Sequence, residues 1–149
     1  GLAEYDTIRA IVAAVRLPVI ANGDIDSAEK AAAVLAATGA AAVMVGRAAQ
    51  GRPWLCGQID AALAGTAAAQ PPRAEMERLM LGHLDALHAF YGEAQGARIA
   101  RKHVGWYLEG QSGAREFLRD FHRLATGAEQ LAALREHFSA TADREAKAA

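Results

Sequence analysis

The sequence predicts an α/β segment followed by an all-α segment. Two short apolar runs, residues 17–21 and 41–45, each stop at glycine beside polar or charged residues. This pattern is typical of buried parallel strands whose carboxyl ends face a ligand. Helix signals precede, separate and follow the two runs, whereas only helix and turn signals remain after about residue 67. We therefore expect two structural units, residues 1–66 and residues 67–149.

The first unit reads as helix, strand, helix, strand. Apolar side chains at helical spacing predict a helix over residues 6–15, with Asp6 as its amino cap. A second helix is predicted over residues 28–37, capped by Asp26 and ended at Gly39. Its predicted buried face consists of Ala31, Val34 and Leu35. Together with the two apolar runs, this order predicts one right-handed βαβ unit.

The rest of the chain is predicted to be helical. Pro53 is placed to open a helix over residues 54–63, and residues 65–72, which are small, polar and proline-bearing, predict a linker. We expect residues 140–149 to fray or stay disordered, because they combine alanine and charge without large apolar side chains. Apolar stripes interrupted by glycines predict four more helices, over residues 75–91, 95–108, 115–124 and 128–138. Phe90 is predicted on the apolar stripe of the first of these, and Ala97, Ala100, Val104 and Tyr107 or Leu108 are predicted on the inward face of the second.

Composition limits the class of protein. The formal net charge of −1 gives no global attraction to nucleic acid or to anionic membranes, so any nucleic-acid contact has to come from a local patch. No apolar segment approaches the roughly 18 residues that span a bilayer, and the first residues lack the charged and apolar regions that are typical of a signal peptide. We expect a cytoplasmic protein without a membrane partner. The sequence begins at Gly1, without methionine and within a repeating βα pattern, so we expect a fragment of a longer protein.

Neither a metal site nor a cysteine nucleophile is predicted. Among the five histidines, His83 and His88 stand five residues apart and do not share a helical face, and no cysteine or carboxylate completes a ligand set. The single cysteine, Cys56, excludes an internal disulfide and has no histidine beside it that could activate it. We expect Cys56 to be inert and half-buried.

The ends of the two predicted strands form the first candidate site. Gly23 and Gly46 offer open backbone and Arg47 offers a fixed positive charge, as in the phosphate sites that follow the last two strands of parallel α/β barrels. Two interpretations stay open: a phosphate site, or glycines that only turn the chain beside a solvated arginine. Asp24 would repel an anion. It either hydrogen-bonds a ligand hydroxyl, holds Arg47 or stabilises the next helix.

A basic cluster on the helix predicted over residues 95–108 is the second candidate. Arg98, Arg101 and Lys102 share one side of that helix at helical spacing. Between residues 98 and 123, six lysines or arginines stand against three acidic residues, so the region is locally positive. The charges either contact RNA or form a solvated face, and the interleaved Trp106 and Tyr107 either stack on bases or fill the core.

Several motifs resemble the bacterial tRNA-dihydrouridine synthases, most of all their B-type subfamily. In the first unit these are Leu-Pro-Val-Ile-Ala-Asn-Gly-Asp-Ile at 17–25 and Val-Gly-Arg-Ala-Ala-Gln-Gly-Arg-Pro-Trp at 45–54. In the second unit they are Ala-Arg-Lys-His at 100–103 and Trp-Tyr at 106–107. Their order is that of the family's closing barrel segment followed by its carboxyl-terminal helical domain. The resemblance covers the chain up to about residue 138.

The resemblance implies a fold and a reaction. The fold is the last two βα units of a (β/α)8 TIM barrel followed by a carboxyl-terminal helical bundle. The reaction is that of a flavoprotein oxidoreductase in tRNA processing: NADPH reduces FMN, hydride passes to C6 of a uridine flipped out of the tRNA, and a cysteine on a barrel loop protonates C5. Carried over by motif, the residues contacting FMN are Asn22, Gly23, Asp24, Gly46 and Arg47, the last two at its phosphate, and those contacting RNA are Arg98, Arg101 and Lys102.

The family's cysteine-bearing loop has no counterpart in these 149 residues. Cys56 does not match that loop, so no catalytic residue is assigned. We expect the chain by itself to hold part of an FMN site and to be inactive. The alternative hypothesis is a non-catalytic RNA-binding helical module with a vestigial βαβ cap.

Overall fold

Strands and helices alternate in the first part of the chain, and helices alone follow. The computed structural model describes residues 3–67 and 69–148. The first unit contains α1 (Tyr5–Ala14), β1 (Ile20–Asn22), α2 (Ala28–Thr38), β2 (Ala42–Met44), a 3-10 turn (Arg47–Ala49) and α3 (Leu55–Leu63). The second contains α4 (Arg73–Tyr91), α5 (Glu93–Tyr107), α6 (Ala114–Phe121) and α7 (Gly127–Ala148). The two units divide between Gln70 and Pro71, within the segment predicted as a linker.

The two strands pair in parallel, as the predicted βαβ order requires. Ile20 lies opposite Ala42, and Asn22 lies opposite Met44. Each strand is three residues long, shorter than the apolar run that predicted it. One reason is that each strand of a two-stranded sheet has one neighbour, so hydrogen bonds to another strand form along one of its edges only. Ala21 of β1 is fully buried, whereas Ile20 and Met44 are 54% and 53% exposed on the other face of the sheet.

The core of the first unit lies between the sheet and the helices α2 and α3. Small side chains on α2 let this helix lie close to the strands. The buried residues of this core are Ala21, Ile25, Ala31, Val34, Leu55 and Ile59. The buried face of α2 therefore matches the predicted one at Ala31 and Val34.

Two helix caps differ from the predicted ones. The carboxylate of Glu4 caps α1 by accepting a first-turn amide at 3.0 Å, while Asp6 lies inside the first turn. The hydroxyl of Ser27, rather than the carboxylate of Asp26, caps α2 at 3.1 Å. Both capping residues have the extended backbone that a cap requires. The predicted end of α2 is confirmed, since Gly39 is left-handed with φ of 70°.

The second unit is an all-helical bundle with its own core. The buried side chains come from all four helices, and include Met80, Leu84, Val104, Leu108, Phe121 and Leu134. Gly92, with φ of 74°, is the single residue between α4 and α5, so these two helices are joined by a sharp turn. The predicted inward face of α5 is confirmed, because Ala97, Ala100, Val104 and Leu108 are buried.

A buried polar link crosses the helical core. Gln130 on α7 is fully buried, and its Nε2 donates to the carbonyl of Ala97 at 3.0 Å. Its Oε1 lies 3.0 Å from Nε2 of His88 on α4. Because Oε1 can only accept, the ring hydrogen of His88 sits on Nε2. One side chain thus joins α4, α5 and α7.

Four predictions about the helices are wrong. Helix α7 runs to Ala148 instead of ending near residue 138, because alanine and the long charged side chains are strong helix formers. Helix α6 ends at Phe121. Phe90, predicted on the apolar stripe of α4, is 81% exposed, and Cys56 is exposed rather than half-buried. The predicted fraying of Ala149 falls outside the described residues.

Candidate functional site

The carboxyl ends of β1 and β2 meet around one open cavity of about 450 Å³. All five residues predicted to contact a cofactor line it. The lining consists of Asn22, Gly23, Asp24, Gly46 and Arg47 together with Ile25, Asp26, Met44 and Ala48. Parallel pairing explains the convergence, since the ends of adjacent parallel strands lie at the same edge of the sheet.

The turn after β1 is held by bonds from two sides. The side-chain amide of Asn22 donates to the carbonyl of Met44 at 3.0 Å and so ties the two strand ends together. The hydroxyl of Tyr5 donates to the carbonyl of Gly23 at 2.7 Å. Gly23 has φ of 130°, and a Cβ there would lie 2.6 Å from the Cβ of Ala3. Glycine is therefore required at this position.

Asp24 faces both the turn and Arg47. It is the one non-glycine residue with positive φ, 48°, in the described part of the chain. Its Oδ2 accepts from the amide of Ala3 at 2.7 Å, and its Oδ1 lies 3.9 Å from Nη2 of Arg47. Since Ser27 caps α2, Asp24 is not the cap of that helix; it fixes the turn through Ala3 and lies beside Arg47 without a hydrogen bond to it.

The chemistry of this edge suits a ligand that carries a phosphate. The Arg47 side chain is 89% exposed, and across residues 3–67 and 69–148 Asp24 is its one carboxylate neighbour within 4.0 Å. A contact of 3.9 Å is too long for a hydrogen bond, so the N–H fork of Arg47 stays available for two-pronged binding of an anion. A Cβ on Gly46 would meet nothing within 4 Å, so the backbone beside Arg47 is open to approach.

The three basic residues predicted on α5 do not share one exposed face. Arg98 and Lys102 are exposed. Arg101 is half-buried, and its Nη2 donates to the carbonyl of Leu124 at 3.1 Å, while its Nε is buried without an acceptor. The shared face is therefore wrong for Arg101. Its position on α5, about 100° around the axis from Lys102, turns it toward the connection between α6 and α7.

Arg98 and Lys102, like Arg115 and Arg135, differ from three other exposed basic side chains of the same unit. Arg78, Arg119 and Arg123 each pair with a carboxylate one helical turn away. By contrast, no carboxylate oxygen of the described residues lies within 4.0 Å of Arg98 or Lys102. This part of α5 carries positive charge that its neighbours leave unneutralised, which favours an anionic partner over a surface of paired charges.

Lys102 lies at one end of a cluster of aromatic rings. Its Nζ lies 5.1 Å from the ring centroid of Trp106, and the rings of His103 and Trp106 meet edge to face at 5.0 Å. His83 on α4 meets His103 in the same way at 4.7 Å, and its Nδ1 lies 3.2 Å from the hydroxyl of Tyr107. The sequence places His103 in the basic cluster but gives no sign of its contact with His83. Nothing local points to His83.

Both histidines of this ring cluster are shifted toward the neutral form. Burial lowers the pKa of His83. Burial also lowers the pKa of His103, with smaller contributions from the charges of His83 and Lys102. At neutral pH the rings therefore add no positive charge to that of Lys102.

The remaining sequence predictions concern metal and cysteine chemistry. Within the described ranges there is no group of three or more His, Cys, Asp or Glu side chains that could hold a metal ion. Cys56 is exposed on α3 and is absent from the lining of the cavity at the strand ends. None of the described helices is both long enough and apolar enough to cross a membrane.

Comparison with known proteins places the whole chain in one family. A sequence model described as Dihydrouridine synthase (Dus) matches residues 1–143. The chain is 55% identical over 139 residues to tRNA-dihydrouridine synthase B of Vibrio cholerae serotype O1, a match covering 93% of this chain and 43% of that protein. The proteins of the same name from Xanthomonas campestris pv. campestris and Pseudomonas syringae pv. tomato are 54% and 56% identical, over 94% and 93% of this chain and 42% of each relative. The chain thus spans less than half the length of these relatives. Since the family match extends through both structural units, the chain belongs to the dihydrouridine synthase family.

Proposed function

We propose that this chain is the carboxyl-terminal portion of an FMN-dependent tRNA-dihydrouridine synthase, an enzyme that uses NADPH to reduce the C5–C6 double bond of a uridine in tRNA. Family membership and the relatives named tRNA-dihydrouridine synthase B support the reaction. In this proposal residues 1–66 are the last two βα units of a (β/α)8 barrel, and residues 67–149 are a tRNA-binding helical domain. An enzyme acting on tRNA belongs in the cytoplasm.

The observation that carries the cofactor assignment is the convergence of five residues around one cavity at the ends of adjacent parallel strands. Gly46 and Arg47 would hold the FMN phosphate, and Asn22, Gly23 and Asp24 would line the rest of this wall. When bound, FMN supplies the hydride for uridine reduction after NADPH has reduced it. The protein's part here is to neutralise the phosphate with Arg47, whose side chain is exposed beside Asp24.

No residue of this chain is assigned to proton transfer. Cys56 is exposed on α3 and outside the cavity lining, so the proposal puts the proton donor in a part of the protein beyond these residues. The 149-residue chain alone is accordingly expected to show no uridine reduction.

The helical unit is proposed to meet tRNA through α5. The unneutralised charges of Arg98 and Lys102 support contacts with phosphates. Arg101 has a different role in this proposal: it holds the connection between α6 and α7 through its bond to the carbonyl of Leu124.

Substitution of Arg47 tests the flavin site. In a protein that carries this chain with the rest of the barrel, Arg47→Ala should weaken FMN binding roughly 10- to 150-fold, the range for losing a charge-assisted hydrogen-bonded partner of a phosphate. Flavin absorbance after gel filtration and titration of the apoprotein measure the effect. Arg52→Ala is the matched control, because Arg52 is exposed nearby, bonds to the carbonyl of Ala48 and does not line the cavity.

Two results would contradict the proposal at different levels. Equal FMN affinities for Arg47→Ala and Arg52→Ala would remove the phosphate assignment. A protein with the complete barrel that binds tRNA and takes up no flavin would instead support the non-catalytic RNA-binding module.

A further inference from the structure

We propose that Trp106, next to Lys102 on α5, is a stacking site for an unpaired RNA base. The inference rests on the proposed function, because it requires that α5 meet tRNA. It adds a contact with a base to the phosphate contacts proposed above.

Three side chains form a row along α5. Arg98, Lys102 and Trp106 follow one another at four-residue steps, so each lies about 6 Å further along the helix axis and only about 40° around it. Arg98 and Lys102 are exposed and without a carboxylate within 4.0 Å in the described chain. An RNA strand laid along this row meets two cations and then an aromatic ring. That combination of charge and ring is the one that single-stranded nucleic acid uses.

The ring of Trp106 is available for stacking. Trp106 is half-buried, so part of its surface reaches solvent, and the group above its ring is the flexible, exposed Lys102 ammonium at 5.1 Å. A cation over a ring at an exposed site is a weaker interaction than a stacked base. An entering base can therefore displace Lys102, whose charge is then free to meet the phosphate of the same strand.

Neighbouring rings fix the orientation of Trp106. His103 meets its ring edge to face at 5.0 Å, His83 meets His103 at 4.7 Å, and Nδ1 of His83 lies 3.2 Å from the hydroxyl of Tyr107. This series of contacts connects Trp106 to α4, so the tertiary structure restricts the orientation of its ring. A tryptophan that served only to fill the core would lie among buried apolar side chains, yet Trp106 is not part of the buried core cluster of this unit.

Intrinsic fluorescence tests the stacking directly. These 149 residues contain two tryptophans, so in this chain Trp54→Phe leaves Trp106 as the one reporter. Titrating this variant with single-stranded oligouridylate should quench its fluorescence to saturation, because a stacked base quenches indole emission. An RNA duplex of equal length should bind through its phosphates without comparable quenching, since its bases are already stacked.

Affinity measurements provide the second test. Trp106→Leu should weaken oligouridylate binding about 5- to 150-fold while leaving the dependence on salt unchanged. Trp106→Phe, which keeps a ring, should recover most of the affinity. Lys102→Gln should instead lower the slope of log affinity against log salt by about 0.7, the value for one phosphate of a single strand. Far-ultraviolet circular dichroism checks that each variant is folded.

The outcomes separate this inference from the proposed function. Salt-dependent RNA binding with no quenching of Trp106, and with full affinity in Trp106→Leu, would overturn the stacking site and leave the phosphate contacts standing. Quenching that is equal for duplex and single strand would overturn it as well. If no RNA binds at any salt concentration, the proposed tRNA contact of α5 falls with it, whereas the flavin assignment of Arg47 is decided by its own test.

Discussion

Replacing Gly96 with alanine should force α4 and α5 apart. A Cβ at this position would lie 2.8 Å from the Cα of His88 and 2.9 Å from the carbonyl oxygen of Leu87, where ordinary contacts are 3.4–4 Å. Both atoms belong to the backbone of α4, so no side chain can turn aside to make room. The two helices would have to separate by roughly half an ångström, in a core that is close-packed.

The size of the effect follows from two opposing contributions. Overpacking of this kind costs about 1–3 kcal/mol, while alanine in place of glycine inside a helix gains about 0.5–1 kcal/mol. Gly105→Ala is the matched control, because it lies on the same helix and its Cβ would meet nothing within 4 Å. The propensity gain is common to both variants. Gly96→Ala should therefore be less stable than Gly105→Ala by about 1–3 kcal/mol.

Urea unfolding of the helical unit measures this difference. In the Trp54→Phe background the emission of Trp106 reports on residues 71–149, so unfolding of the first unit does not enter the signal. Equal midpoints for the two alanine variants, with equal slopes, would show that α4 and α5 are not in backbone contact at Gly96.

Two further predictions concern the same unit. Burial lowers the pKa of His83 and of His103 from 6.5, so below about pH 7 the unfolded state binds more protons than the folded state. The free energy of unfolding should therefore stay level above that pH and fall as the pH drops through 6.5. Urea midpoints across this range check it, and an unchanged slope after both are replaced by glutamine would assign the acid sensitivity elsewhere. Gln130→Leu should cost about 1–3 kcal/mol, because Nε2 of His88 loses its acceptor, whereas the carbonyl of Ala97 keeps its bond within α5. A variant as stable as the wild type in urea would mean that this link contributes little.

The local signals predicted the arrangement of the first unit well. Short apolar runs that end at Gly23 and Gly46 indicate strand ends whatever surrounds them, and the parallel pairing brings those ends together. The caps were harder, because Asp26 and Ser27 are both good cap residues. The choice between them depends on which one adopts the extended backbone, and that is a property of the folded turn.

The basic residues of α5 show which features the sequence alone does not predict. Helical spacing places Arg101 beside Lys102 but does not reveal which neighbouring segment packs against each side of the helix. The bond from Arg101 to the carbonyl of Leu124, 23 residues away, is a tertiary contact with no local signal. The ring of His83 reaches His103 in the same way, through the pairing of α4 with α5. The residues could be predicted, and their division into exposed and anchored side chains could not.

The hydrogen bonds around the turn after β1 determine which residues lose conformational entropy when a ligand binds. Asn22 ties the turn to β2, Tyr5 holds the carbonyl of Gly23, and Asp24 is bonded to the backbone of Ala3. An arriving anion finds this part of the wall already ordered. The exposed side chain of Arg47 is different, because it has to give up rotamer freedom of about 2 kcal/mol. Most of the ordering cost of the proposed phosphate site thus falls on one flexible side chain, that of Arg47.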